Sequence, residues 1–187
     1  MKFKGIEKIH QGKFITRYDI QYESEKGRAK TYEMISRNKN ISTQEDLHNN
    51  RVDAVVLIIH DAERKRILLS REFRMAPAEW VINFPAGLID AGESAEQAAA
   101  RELREETGLT LDAIDEVWKE SYSAVGFSNE KNSVVIGKAS GTILPSDSDM
   151  EEIEARWYTK EEVQKLLQTE RFAARTQAYC ALWSAHE

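Results

Sequence analysis

Apolar and polar side chains alternate through Phe14, Thr16, Tyr18, Ile20 and Tyr22, the period of a half-buried strand. Glu25-Lys26-Gly27-Arg28 supplies a turn, and Thr31-Tyr32-Glu33-Met34-Ile35 resumes the strand pattern. The start of the chain therefore predicts a small antiparallel β meander. Residues 37–50 are polar and turn-rich and predict a long loop. That loop sets a boundary between an N-terminal meander over 1–50 and a second domain over 51–187. Beyond it the pattern changes. Residues 54–59 form an unbroken apolar run, as in a strand covered on both faces. Further strands are predicted at 67–69, 80–84, 114–125, 133–139 and 153–158. Ser94 with Gln97 has the spacing of a capping box, opening a helix that Gly108 closes. Thr159 with Glu162 repeats that spacing and opens a helix through Leu167, and a last helix covers 172–184. Strands interleaved with helices predict an α/β (α+β) architecture, a sheet with helices on its faces.

Composition narrows the function. Asp and Glu number 32 against 26 Lys and Arg, a net charge of −6, which lacks the basic footprint of general nucleic-acid binding. No apolar run reaches the ~20 residues of a membrane span, and the first residues lack the apolar core of a secretory signal. The expectation is a cytoplasmic protein with no membrane and no nucleic-acid partner. Cys180 is the sole cysteine, so no internal disulfide or cysteine-based zinc site can form, and the four histidines (His10, His48, His60, His186) are widely spaced. A protein this acidic needs a cation, or an Arg/Lys pocket, to hold an anionic substrate.

The helix opened by Ser94 carries a cluster that would serve. Glu102, Glu105 and Glu106 project from one side within about 100°, while Ala99, Ala100 and Leu103 occupy the adjoining face. Like charges at i,i+4 cost roughly 0.2–0.5 kcal/mol in a bare helix, partly offset here by the Arg101–Glu105 pair. Oxygen-only donors suit a hard cation, Mg²⁺ or Mn²⁺.

The segment from Gly87 to Leu109 fills the pattern G-x5-E-x7-R-E-U-x-E-E-x-G-U, U being aliphatic, with Gly87, Glu93, Arg101, Glu102, Leu103, Glu105, Glu106, Gly108 and Leu109. This is the Nudix box, and the chain resembles a Nudix hydrolase. The resemblance implies an α/β/α sandwich with a mixed sheet. It implies metal ligands at Glu102, Glu105 and Glu106 with the Ala86 carbonyl, Arg101 and Glu93 supporting the loop, and hydrolysis of a nucleoside diphosphate linked to another group.

The flanks resemble the ADP-ribose pyrophosphatase group. Phe84-Pro85-Ala86-Gly87 matches its P-A-G segment, Arg71-Glu72-Phe73-Arg74 its Q-Y-R element, and the run from Tyr122 to Glu130 its S-P-G-x-x-x-E loop. Val125 stands where that group has proline, and Asn83 where it has glutamate. The implied substrate is ADP-ribose, cleaved to AMP and ribose 5-phosphate. GDP-mannose, ADP-glucose and a non-catalytic ADP-ribose sensor are the alternatives. Arg74, Gly87 and Gly126 are the candidate substrate contacts. For general base the candidates are Asp149 and Glu151, in an acidic turn before a strand, and Glu130, with Glu105 as a further catalytic carboxylate. The aromatic side of the meander needs a cover, and the group is built as homodimers, so a homodimer joined through the N-terminal strands is expected.

Overall fold

The computed structural model describes residues 1–146, 148 and 150–185. The chain divides into two compact units, Met1–Asp53 with Glu120–Asn132, and Ala54–Lys119 with Ser133–Glu187.

In the first unit β1 (Lys2–Gln11), β2 (Thr16–Glu23) and β3 (Ala29–Ser36) form an antiparallel sheet in the order β1-β2-β3. The predicted alternation of β2 is real: Thr16, Tyr18 and Ile20 are buried, and with Met34 and Ile41 the apolar members form a small core. The Tyr18 hydroxyl donates to the Asn38 carbonyl at 2.9 Å and accepts from the Ile41 N–H at 3.3 Å, which ties the following loop down. Phe14 precedes the strand and is 65% exposed rather than sharing its buried face. β1 escapes the sequence pattern because register shifts between Phe3 and Gly5 and between Lys8 and His10 break its period of two.

The second unit is built on β4 (Ala54–His60), β5 (Arg66–Arg74), β6 (Glu79–Asn83) and β7 (Ala86–Leu88), followed by α1 (Ala95–Thr107). β8 (Thr110–Tyr122), β9 (Lys131–Ser140), β10 (Ile153–Thr159), α2 (Lys160–Thr169) and α3 (Ala174–Ala185) complete it, the distal ends of β8 and β9 belonging to the first unit. The sheet order is β10-β5-β4-β9-β8, with β6 on β5 and β7 on β4. The apolar run of β4 is covered on both faces. Val55, Leu57 and Ile59 pack with Ala98, Ala99 and Leu103 of α1, while Val56 and Ile58 pack with Val163 of α2 and Cys180 of α3. Successive side chains of one strand thus feed two cores, and the result is a helix–sheet–helix sandwich. Cys180 is a buried apolar residue, and burial pushes its thiol up to about 12. Trp118 is 43% exposed on β8. Among the described residues no helix is long and apolar enough to cross a membrane.

Candidate active site

Local sequence places α1 with little freedom. Ser94 caps it: its hydroxyl accepts from the Gln97 N–H at 3.2 Å, and the Gln97 side chain accepts from the Ser94 N–H at 2.9 Å. Gly108 closes it in the left-handed region at φ 73°, where L side chains are strained. Ala98, Ala99 and Leu103 bind the helix to the sheet, and this leaves Glu102, Glu105 and Glu106 directed toward an open cavity of about 430 Å³. Ser146, Ser148 and Glu151 form its other wall.

Arg101 organises the carboxylates around it. Its Nε and Nη2 donate to Glu93 at 3.0 and 2.8 Å, Nη1 to Glu102 at 2.8 Å and Glu105 at 3.2 Å, and Nη2 also to the Leu88 carbonyl at 2.9 Å. All five guanidinium N–H groups therefore have partners. The Arg101 side chain holds the Glu93 carboxyl below its usual range, and Glu93 accepts in turn from the Asp90 N–H at 3.1 Å. One residue thus ties the loop before the helix to the helix face.

Gly87 pairs with Val55 in the short β7 strand. A Cβ built there would lie 1.9 Å from Cδ of Glu102. Only glycine lets the Glu102 carboxylate lie against this strand.

Glu106 is only 8% exposed. Burial first, then the charges of Glu102, Glu72 and Glu151, push its carboxyl up to about 9, opposed by the neighbouring Ala86 backbone. Burial also raises Glu102, against the pull of Arg101. The donors are oxygen atoms only, two of them held reluctant to ionise, and a hard divalent cation is the partner that would relieve both. Among the described residues no three His, Cys, Asp or Glu side chains are already drawn together tightly enough to hold an ion. Arg101 holds Glu102 and Glu105 by ion pairs at 2.8 and 3.2 Å.

Of the remaining sequence candidates, Glu151 lines the same cavity as the α1 carboxylates. Asp149 lies outside the described residues. Glu130 belongs to the first unit, where Arg37 Nε donates to it at 2.9 Å and the Ser123 hydroxyl at 3.0 Å. Gly126 lies in the same unit, its carbonyl accepting from the Tyr32 hydroxyl. Arg74, at the end of β5, reaches Glu72 at 3.4 Å. Glu72, whose charge acts on Glu106, is a neighbour that sequence reasoning missed. Its only signal was its place inside the Arg71-Glu72-Phe73-Arg74 element.

Residues 50–179 match the NUDIX domain. The chain is 25% identical over 166 residues to the ADP-ribose pyrophosphatase of Bacillus subtilis, covering 87% of this chain and 80% of that protein. It is 40% identical over 121 residues to Nudix hydrolase 19, chloroplastic, of Arabidopsis thaliana, covering 63% of this chain. The chain spans 27% of the length of that Arabidopsis protein, and less than two thirds of several other curated relatives. A crystal structure of an ADP compounds hydrolase superposes with a TM-score of 0.73 at 23% identity, over 97% of this chain and 92% of that one, which shows a common fold.

Proposed function

Because the chain belongs to the Nudix family, we propose that it is a pyrophosphohydrolase that uses Mg²⁺ or Mn²⁺ to cleave a nucleoside diphosphate linked to a sugar, with ADP-ribose as the first substrate. The observation that carries this reading is the Arg101-braced set of Glu102, Glu105 and Glu106 facing an open cavity with Glu151 opposite. In the proposal these three carboxylates and the Ala86 carbonyl hold the cations. When bound, such ions neutralise pyrophosphate oxygens and make water a better nucleophile. Arg101 and Glu93 keep the carboxylates in place. Glu151 accepts the proton of the attacking water, because it shares the cavity with the α1 set. Arg74, paired with Glu72 at 3.4 Å, contacts the sugar end of the substrate.

The named relative from Bacillus subtilis supports ADP-ribose as substrate. The departures at Val125 and Asn83 support testing other nucleotide sugars beside it. The deciding experiment incubates the protein with ADP-ribose, ADP-glucose and GDP-mannose in Mg²⁺ or Mn²⁺ and separates the products. Release of AMP and ribose 5-phosphate from ADP-ribose is expected. No cleavage of any nucleotide sugar in either metal would overturn the reading.

A further inference from the structure

A second cavity, of about 280 Å³, lies on β5 and the segment before β10. Glu72, Phe73 and Arg74 line one side, and Met150, Glu151 and Glu152 the other. It shares Glu151 with the cavity over α1, and the charge of Glu72 reaches Glu106. A group seated here therefore lies next to the carboxylate cluster.

The chemistry of this lining selects its occupant. Three carboxylates face one guanidinium, so a phosphate would meet net repulsion. A neutral group rich in hydroxyl donors would find acceptors, and Phe73 and Met150 offer apolar surface for the C–H face of a sugar ring. A nucleobase would want an open aromatic face, whereas Phe73 already meets Trp80 edge to face at 5.9 Å.

Glu72 is held for this task from the far side of the sheet. The Asn83 side-chain amide donates to Glu72 Oε1 at 2.8 Å. The hydroxyl of Thr176, fully buried on α3, donates to Asn83 Oδ1 at 2.8 Å and accepts from the Phe84 N–H at 3.3 Å. A carboxylate only accepts, so Asn83 must present its NH₂ to Glu72 and its oxygen to Thr176. Each link has one polarity. Glu72 is thereby fixed as an acceptor with lone pairs to spare, its other oxygen 3.4 Å from Arg74.

We propose that this cavity receives the distal, hydroxyl-bearing sugar of the substrate, with Glu72 as its hydrogen-bond acceptor and Asn83 and Thr176 as the residues that position Glu72. The inference rests on the nucleotide-sugar reading above and names the part of the site that would tell a sugar from its absence.

Equilibrium binding in Mg²⁺ tests it, using the non-cleavable α,β-methylene analogues of ADP-ribose and of ADP capped as its β-methyl ester, which carry the same charge and differ by the distal sugar. The wild-type protein should bind the sugar-bearing analogue about tenfold or more tightly, the worth of a hydrogen bond to a charged acceptor. Glu72→Gln should abolish that ratio and leave the ADP analogue within twofold. Thr176→Val should shrink the ratio and Thr176→Ser restore it, and this pair decides the matter if Glu72→Gln fails to fold. An unchanged ratio in Glu72→Gln, equal weakening of both analogues, or no preference in the wild type would each overturn the proposal. Hydrolysis of ADP-ribose by the wild type is scored separately. Its absence alongside a Glu72-dependent ratio would overturn the catalytic reading and leave the cavity assignment standing.

Discussion

Arg101 and Glu93 meet in a two-point ion pair, Nε to Oε1 at 3.0 Å and Nη2 to Oε2 at 2.8 Å, across eight positions of sequence. The same guanidinium carries on to Glu102, Glu105 and the Leu88 carbonyl. A lysine offers a point charge in place of that planar fork and cannot serve the four groups together. Arg101→Lys should therefore cost about 2 kcal/mol of stability in urea melts. It should also weaken Mg²⁺ binding by roughly tenfold or more, as disturbed supports of metal ligands do. Wild-type affinity for Mg²⁺ in a titration of this variant would remove Arg101 from the support of the carboxylates.

Glu106 gives a prediction with a definite sign. Its carboxyl is pushed up to about 9 from an ordinary value of 4.5, burial being the largest cause. Below 4.5 folded and unfolded chains both hold the proton. Between 4.5 and 9 the unfolded chain releases it while the folded chain keeps it, so stability falls across that window and levels off above it. Glu106→Gln removes the titration. In EDTA the variant should exceed the wild type by up to ~5 kcal/mol at pH 8 and converge with it near pH 4. In Mg²⁺ the order should narrow or reverse, because only the wild type gains from the cation, and turnover of ADP-ribose should fall by several orders of magnitude. A variant less stable than the wild type at pH 8 in EDTA contradicts the assignment.

Much of this was legible in the chain. The 54–59 run announced a strand covered twice, because Val55, Leu57 and Ile59 feed one core and Val56 and Ile58 the other. Both capping boxes formed as their spacing required. Glu102, Glu105 and Glu106 share one cavity, as their helical positions implied. What the pattern hid has physical causes. The bulges of β1 scramble its period, and β7, with three residues, is too short to show one. The link from Glu72 through Asn83 to Thr176 joins three elements by side-chain hydrogen bonds. Such pairings depend on tertiary approach and have no local sequence signal.

Gly87 provides a test of position rather than charge. The Cβ of Gly87→Ala would fall 1.9 Å from Cδ of Glu102, the far end of a flexible side chain. The carboxylate must swing aside while β7 keeps its pairing with β4. The melting temperature should change little, while ADP-ribose turnover falls about a hundredfold, the usual penalty for a displacement near 1 Å. Full activity with Gly87→Ala would show that the position of Glu102 against β7 is irrelevant to the reaction.

The first unit exposes Phe14 and Ile15 at the turn between β1 and β2, at 65% and 45%. Large apolar groups displayed together at a turn suit an interface. On the expectation of a homodimer joined through these strands, light scattering should give twice the chain mass of 21.4 kDa. Phe14→Glu with Ile15→Glu should shift the protein to the monomer. A wild-type protein of single-chain mass at micromolar concentration refutes the dimer, and a double variant that stays dimeric moves the interface elsewhere.

His60 ends β4 inside the second core, its Nε2 3.4 Å from the Tyr179 hydroxyl and its ring 5.7 Å from Trp183 of α3. Burial, followed by the charge of Arg64, lowers its pKa from the ordinary 6.5. The folded protein therefore keeps a neutral imidazole at pH values where the unfolded chain has already taken up a proton. Stability from this residue is present above 6.5 and is lost as the pH falls from 6.5 toward the depressed value. The slope cannot exceed about 1.4 kcal/mol per pH unit for one proton. His60→Phe keeps a ring of similar size against Trp183 and removes the titration, at the cost of the long contact to Tyr179. Urea melts at pH 7.5, 6.5, 5.5 and 5.0 should show the wild type losing stability relative to this variant as the pH falls below 6.5, whatever their offset at pH 7.5. Parallel stability curves across that range would mean that His60 is protonated equally in the folded and unfolded chains, and that the second core accommodates the charge.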